Sequence, residues 1–168
     1  MKFDVERLRI VILSKVKGKV PSQAPLRVNF RSLNIIEVEG TGAKQLAEWM
    51  ADEVRREIVR KKAVASGRLL NTIKVVDVSE DKYELRIPMH YIKYLEYGTK
   101  PRSKFPPFFP LYTWVVHKFG KSGKEGARIA WAVMTKVKEK GTKPRNIILE
   151  AFSKIFGRNM TERMLRRR

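Results

Sequence analysis

The sequence contains the same basic pentapeptide, Gly-Thr-Lys-Pro-Arg, at residues 98–102 and again at residues 141–145. In each copy a lysine and an arginine flank a proline, which fixes its own backbone and holds the preceding residue extended. Two cations on a rigid loop can bind a phosphate or a carboxylate. The candidate binding residues are Lys100, Arg102, Lys143 and Arg145.

The pentapeptide also has a purely structural interpretation. Gly141 can take the left-handed backbone that ends a helix, and Pro144 cannot continue a helix because it lacks a backbone donor. Gly98 and Pro101 can act in the same way in the first copy. This interpretation accounts for glycine and proline but not for the repeated lysine and arginine, so both interpretations stay open.

Tyrosines precede the first copy at three positions within seven residues, Tyr91, Tyr94 and Tyr97. Such rings beside lysine and arginine can stack on the bases of single-stranded nucleic acid. Aromatic residues also dominate protein cores and interfaces. We therefore favour a patch that serves the core and an interface, with base stacking as the alternative.

Few residues have the types and spacing of a catalytic or metal site. Asp77 and Glu84 distantly resemble the carboxylates that hold a divalent metal in nucleases. Arg86 replaces the usual lysine, however, and Glu84 falls on the polar side of its strand. The chain has no cysteine and two histidines, His90 and His117, which argues against a structural zinc site. We expect no enzyme activity, cofactor or metal.

Charge is the strongest global feature of the chain. It contains 37 lysines and arginines against 17 acidic residues, and residues 98–168 hold 18 of these cations with only four acids. This excess attracts nucleic acid or an acidic protein surface, although a solvated lysine-rich surface is the alternative. We expect no membrane partner because no apolar run reaches about 18 residues.

Hydropathy alternation predicts the strands. Residues 26–39, 73–79 and 83–87 alternate between apolar and polar side chains, whereas residues 5–16 fit a strand or a helix equally well. The apolar face predicted for the first of these consists of Leu26, Val28, Phe30, Ile36 and Val38.

The clearest helical period covers residues 42–63, behind Thr41 as a candidate N-cap. Its opposite face is rich in charged side chains, including Glu53 and Glu57. We expect Asn146 to cap a last helix. The apolar face of the long helix is predicted to contain Leu46, Trp49, Met50, Val54 and Ile58.

Strands that are segregated from helices predict an α+β fold, with a small, mostly antiparallel sheet packed on one long helix and a C-terminal helical region. We expect one domain over residues 1–157 and a basic tail over residues 158–168. A helical insertion at about 108–140 contains predicted helices at 111–119 and on an apolar stripe at 127–137, which includes Trp131.

Three segments resemble motifs of the tail-completion, or head–tail joining, proteins of long-tailed phages. SGRLLNTI at 66–73 is similar to a small-Gly-x-Leu-x-x-Ser/Thr-Ile motif, and YIKYLEYGT at 91–99 to Tyr-x-x-Tyr-(Val/Leu)-Glu-(Phe/Tyr)-Gly-Thr. GTKPRNIILEAF at 141–152 is similar to the closing motif of the family. The resemblance covers roughly residues 42–155, and residues 1–40 have no clear counterpart.

The resemblance implies a structural protein of the virion, made in the host cytoplasm. Such a neck or minor tail protein forms a ring at the head–tail junction and joins the connector to the tail tube. Its partners would be copies of itself in a hexamer or dodecamer, the neighbouring connector and tail-tube proteins, and DNA in the channel. A basic nucleic-acid-binding protein that acts outside the virion is the alternative.

The family motifs are carried over to individual positions of this chain. Arg145 follows Pro144 where the family usually has Pro-Phe, so the packing of that loop is open. The matched positions expected to be structural are Gly67, Leu69, Ile73, Gly98, Thr99, Pro144 and Phe152. The candidates for contact with partners, besides the four pentapeptide cations, are Tyr91, Tyr94, Glu96, Arg166, Arg167 and Arg168.

Overall fold

The computed structural model describes residues 8–12, 26–63, 67–87, 92–102 and 104–157, with only the backbone for residues 8–12 and 68. Five strands form one antiparallel sheet in the order β1-β2-β3-β5-β4. The strands are β1 (Leu8–Ile12), β2 (Leu26–Ser32), β3 (Ile35–Glu39), β4 (Lys74–Ser79) and β5 (Lys82–Arg86). The predicted α+β class is confirmed, and residues 8–12 of the ambiguous first segment form a strand.

The segment predicted as one strand over residues 26–39 is a β-hairpin. The backbone N–H groups of Asn34 and Ile35 both donate to the hydroxyl of Ser32, at 3.1 Å each, and this stabilises the tight turn. The prediction of a single strand is therefore wrong. The predicted face is correct, because Phe30 pairs with Ile36 across the hairpin and the alternation continues. All five predicted apolar residues are buried.

The long helix α1 (Ala43–Arg60) packs its apolar face into the main core. Leu46, Met50, Val54 and Ile58 are buried as predicted, and Trp49 is half-buried against them. The helix begins after Gly42, whose φ of 83° is left-handed. Thr41 lies in an exposed turn, so its assignment as the N-cap is wrong.

Glu53 and Glu57 of α1 are buried, although the sequence predicted an exposed polar face. Helix α6 (Ile147–Phe156) packs beside this part of α1, and its Lys154 ammonium lies 2.7 Å from Glu57 and 3.3 Å from Glu53. Arg60 adds a second cation 2.7 Å from Glu57. Burial alone would raise the pKa of Glu57, but the hydrogen bonds from Arg60 and Lys154 outweigh burial and lower it.

The remaining helices are α2 (Arg68–Thr72), α3 (Ile92–Tyr97), α4 (Phe108–Phe119) and α5 (Gly123–Lys140). Helices α4 and α5 form a hairpin that lies outside the main core cluster. Tyr112 of α4 receives a hydrogen bond at 2.9 Å from the backbone of Gly123. The buried residues of the hairpin are Val115, Gly126, Ala130 and Met134. Trp131, predicted on the apolar stripe, is instead 52% exposed.

Candidate interface at the paired pentapeptides

The two copies of Gly-Thr-Lys-Pro-Arg lie side by side. The backbone N–H of Thr99 donates to the carbonyl oxygen of Thr142, and the N–H of Thr142 donates to the carbonyl of Thr99, at 3.0 Å in both cases. The two hydroxyl oxygens are 3.1 Å apart. The threonines therefore form a single antiparallel bridge between segments that are 43 residues apart in the chain.

The glycines end helices in the same way in both copies. The N–H of Gly98 donates to Tyr94 at the end of α3, and the N–H of Gly141 donates to Val137 at the end of α5, at 3.0 Å in each case. Both glycines have a φ of 69°. A side chain on either would collide with the backbone of the other copy. Both the conformation and the close approach therefore require glycine here.

Each arginine then connects to the helix that ends at the other copy. The backbone N–H of Arg102 donates to the carbonyl of Lys138 at 2.8 Å, and that of Arg145 donates to Leu95 at 2.7 Å. In both cases the acceptor lies three residues before the glycine of the opposite copy. The structural interpretation of the repeat is thus supported in detail, and it accounts for threonine as well as for glycine.

Glu96 connects the same junction to helix α6. Its side chain is 1% exposed, and its two oxygens accept hydrogen bonds from the backbone N–H groups of Ile148 at 2.7 Å and Leu149 at 3.0 Å. Burial raises the pKa of Glu96 although these hydrogen bonds act to lower it. Glu96 therefore caps α6 from a distance, and the prediction that it contacts a partner is wrong because it is buried within the chain.

Asn146 does not serve as the cap that the sequence predicted. It precedes α6 with a left-handed φ of 48°, and its side chain forms no capping hydrogen bond within the described part of the chain. The Glu96 carboxylate, 50 residues earlier in the sequence, takes this role instead. No local pattern could have identified Glu96 in this role.

The four pentapeptide cations have different environments. Arg145 is half-buried and its guanidinium donates to the carbonyl of Lys61 at 2.9 Å, while the Lys61 ammonium donates back to the carbonyl of Arg145. Arg145 is therefore mainly a clasp between the junction and the end of α1. Lys100, Arg102 and Lys143 are exposed on the paired loops.

Beside the paired loops, rings and cations form a continuous surface. The guanidinium of Arg102 lies 5.4 Å from the ring centroid of Tyr94, and the ammonium of Lys138 lies 4.2 Å from that of Phe105. The Phe105 ring meets the ring of Trp131 edge-on at 5.9 Å. We call Tyr94, Arg102, Phe105, Trp131 and Lys138 the aromatic–cationic surface. The sequence predicts Tyr94 and Arg102 as contact residues but not the other three, of which Trp131 and Lys138 lie on α5 and Phe105 just precedes α4.

The remaining family-motif positions are distributed through the scaffold. Gly67 precedes α2 with a φ of 75°, and Leu69 and Ile73 are buried in the core. Phe152 of α6 is fully buried and packs edge-on against Phe30 of the sheet at 5.6 Å. Pro144 is exposed in its loop. Tyr91, Arg166, Arg167 and Arg168 lie outside the described residues.

The carboxylates that distantly resembled a nuclease site are not brought together. Asp77 pairs with Tyr83 and Glu84 pairs with Val76, so the two acids point to opposite faces of the sheet. Glu84 is buried and forms ion pairs with Arg86 at 2.7 Å and Arg31 at 3.6 Å. Glu84 pairs with Glu37 on the polar side of the sheet, and it is buried there because arginine side chains cover it.

Within the described ranges, no cluster of three or more histidine and acidic side chains is arranged to bind a metal ion. None of the helices in these ranges is long and apolar enough to cross a bilayer. Comparisons with models of protein families, with curated proteins and with solved structures find nothing that matches this chain.

Proposed function

We propose that this protein is a ring-forming subunit at the head–tail junction of a tailed virus, where it joins the connector to the tail tube. One observation carries the proposal. The three segments that resemble the tail-completion family are parts of one connected scaffold, with the second and third segments joined by the Thr99–Thr142 bridge and by the Glu96 cap. The first segment contributes Leu69 and Ile73 to the core beneath them.

This arrangement supports the resemblance because chance similarities need have no structural relation to one another. Here the glycine and threonine of the second segment directly contact those of the third, and its glutamate binds the helix that the third segment begins. The residues that match the family motifs therefore belong to one structural unit and not to three unrelated segments.

The exposed cations fit a role in a ring. Lys100, Arg102 and Lys143 lie together on the paired loops, so a cyclic assembly would repeat them once per subunit as a basic rim. Rings arise when subunits associate head-to-tail through two different surfaces and the rotation closes. Such a rim would meet an acidic neighbouring ring or the DNA in the channel.

The test is the mass of the purified protein at micromolar concentration, after nucleic acid has been removed by nuclease and a high-salt wash. We expect a closed oligomer of six or twelve chains by native mass spectrometry, visible as a ring by electron microscopy. A protein that stays monomeric until an oligonucleotide is added would overturn the ring and support a nucleic-acid-binding protein that acts outside the virion.

A further inference from the structure

The aromatic–cationic surface has a composition that suits one class of partner. Its aromatic side chains remain partly open to solvent, with Tyr94 42%, Phe105 45% and Trp131 52% exposed. Phe109, close to these rings through Phe108, is more exposed still. Several aromatic rings gathered on one exposed surface are uncommon and mark a contact site.

The buried cluster of the hairpin does not include these exposed rings. Helices α4 and α5 bury their own cluster, in which Val115, Ala130 and Met134 are fully or almost fully covered. The edge-on contacts between Phe105, Phe108 and Trp131 leave much of the ring area exposed on the outside of that cluster. The exposed rings are therefore available to a partner.

The charge of this region identifies the partner as an anion. Residues 98–145 contain 12 lysines and arginines and only two glutamates, one of which, Glu125, already pairs with Lys121 at 3.1 Å. The same surface on a second copy would repel it. A partner with many negative charges and flat apolar groups would complement both the cations and the rings.

Among the described residues, the other surfaces of the chain complement it poorly. Five carboxylates of the sheet and of α1 already form ion pairs with arginine or lysine within the chain. The neutralised acids are Glu37, Asp52, Glu53, Glu57 and Glu84. The exposed acids that remain, such as Glu48 on α1 and Glu80 and Asp81 at the β4–β5 turn, lie on separate elements and offer nothing to the rings.

We propose that the aromatic–cationic surface binds single-stranded nucleic acid, with bases stacked on Phe105 and Trp131 and with Tyr94 at the end of the line. The phosphates would lie against Arg102 and Lys138, which sit between the rings. Single strands expose the faces of their bases, whereas a duplex hides them in its stack. This inference does not depend on ring formation, since one subunit carries the whole surface.

Fluorescence anisotropy tests the proposal with labelled oligothymidine, oligouridine and a DNA duplex, each of about 15 nucleotides or base pairs, in the size range of known single-strand sites. We expect both single strands to bind more tightly than the duplex. The comparison of thymidine with uridine strands decides between DNA and RNA as the preferred form.

The double variant Phe105→Ala, Trp131→Ala isolates the contribution of the aromatic side chains to binding, because it keeps every charge. It should lower the affinity for the single strands about tenfold or more. Phe119→Ala is the matched control, because Phe119 is 51% exposed on the same hairpin but packs on Trp114, which is not part of the aromatic–cationic surface. Its affinity should stay close to that of the wild type, and thermal melts check that each variant is folded.

A second pair of variants tests the cations and the stacking separately. The double variant Arg102→Gln, Lys138→Gln should reduce the salt dependence of binding by about 0.7 per lost phosphate contact, whereas the exposed Lys44→Gln on α1 should not change it. Trp131→Phe should retain affinity because a ring remains, and it should lose part of the tryptophan quenching that the wild type shows with oligothymidine.

Three results would overturn the inference. The wild type could fail to bind either single strand at low salt, or the Phe105 and Trp131 variants could bind like the wild type, which would leave only general attraction between charges. A third result is that the Phe105→Ala, Trp131→Ala variant loses an oligomer while its affinity for the single strands is unchanged. This result would make the surface an interface between copies. If the protein is a monomer and its binding of single strands requires Phe105 and Trp131, this inference is upheld and only the proposed oligomeric ring is overturned.

Discussion

Thr99 and Thr142 donate their backbone N–H groups to each other's carbonyl oxygens, at 3.0 Å in both directions. The bridge closes a loop of more than 40 residues that contains the whole α4–α5 hairpin. It joins the two segments that directly follow the ends of α3 and α5. The repeated pentapeptide is therefore a reciprocal joint, and its stability should depend on features that both copies share.

Replacement of Gly98 or Gly141 by alanine should destabilise the protein by about 2–4 kcal/mol, because a β-carbon would meet the opposite backbone at a left-handed φ. Gly120→Ala is the control. Gly120 has a similar φ of 65° but open space around the added carbon, so only the conformational cost of about 1–2 kcal/mol remains. Urea unfolding measures the difference, and equal losses at all three positions would refute the close joint.

The cap on α6 predicts a contrast between two residues. Glu96→Ala should lower the free energy of unfolding by about 2–3 kcal/mol, because it leaves the N–H groups of Ile148 and Leu149 without their buried acceptor. Asn146→Gly should be nearly neutral or slightly stabilising, because its left-handed backbone suits glycine. A larger loss at Asn146 than at Glu96 in chemical denaturation would return the capping role to the asparagine.

Glu96 also predicts how stability changes with pH. Its pKa is raised in the folded chain, so the folded state keeps a proton that the unfolded state has released. The contribution of Glu96 to stability therefore falls as pH rises from the usual range of a glutamate through the raised pKa. Glu96→Gln removes this titration, and the unfolding free energy of the wild type relative to the variant should decrease as pH rises through the raised pKa.

Glu57 is a control for that measurement, because its stability contribution should change with pH in the opposite direction. Its pKa is lowered, so its contribution is fully present above the pKa of the unfolded state and is lost as pH falls through the folded value. The Glu57→Gln variant should differ most from the wild type at neutral pH and converge with it in acid. If the stability differences of the two variants changed with pH in the same direction, the opposite pKa shifts of Glu96 and Glu57 would be contradicted.

Local sequence patterns predicted the parts of the fold that depend on local periodicity. Helix α1 and strands β4 and β5 appear within about three residues of their predicted limits, because alternation and the helical period directly reflect one buried face. The alternation predicts one strand where β2 and β3 form a hairpin, because the two-residue turn does not interrupt it. The face was right and the topology was not.

The candidate site depended on contacts that no local pattern contains. The repeat of the pentapeptide is visible in the sequence, but the pairing of its two copies requires the α4–α5 hairpin to bring the second copy back to the first. Glu53 and Glu57 looked exposed because the lysine that neutralises them lies about 100 residues later, on α6. Trp131 looked buried because its helical stripe continues beyond the face that α4 covers.

The core provides a direct test of the face of α1. Val54→Ala and Ile58→Ala should each cost about 1–4 kcal/mol of stability, because both side chains are fully buried between the helix and the sheet. Val59→Ala is the matched control, since Val59 is adjacent to Ile58 but 56% exposed, and its loss should stay below about 1 kcal/mol. Thermal melts that shift equally for Val59 and Ile58 would show that the helix packs through another face.

The pentapeptide cations separate folding from binding in a last pair of variants. The double variant Lys100→Gln, Lys143→Gln should change stability by less than about 1 kcal/mol, because both side chains are exposed and the glycines, threonines and prolines of the joint remain. Arg145→Gln removes one charge but also the hydrogen bond to the Lys61 carbonyl, so its melt should fall further.

Assembly should respond in the reverse order. If the exposed lysines form the basic rim of a ring, their loss should weaken attachment to an acidic neighbour or to DNA while the melt stays in place. Arg145→Gln should affect attachment only as far as it affects folding. A double lysine variant that melts early would support a role for these side chains in the joint itself. One that folds, assembles and binds nucleic acid like the wild type would leave the repeated cations without a function at this surface.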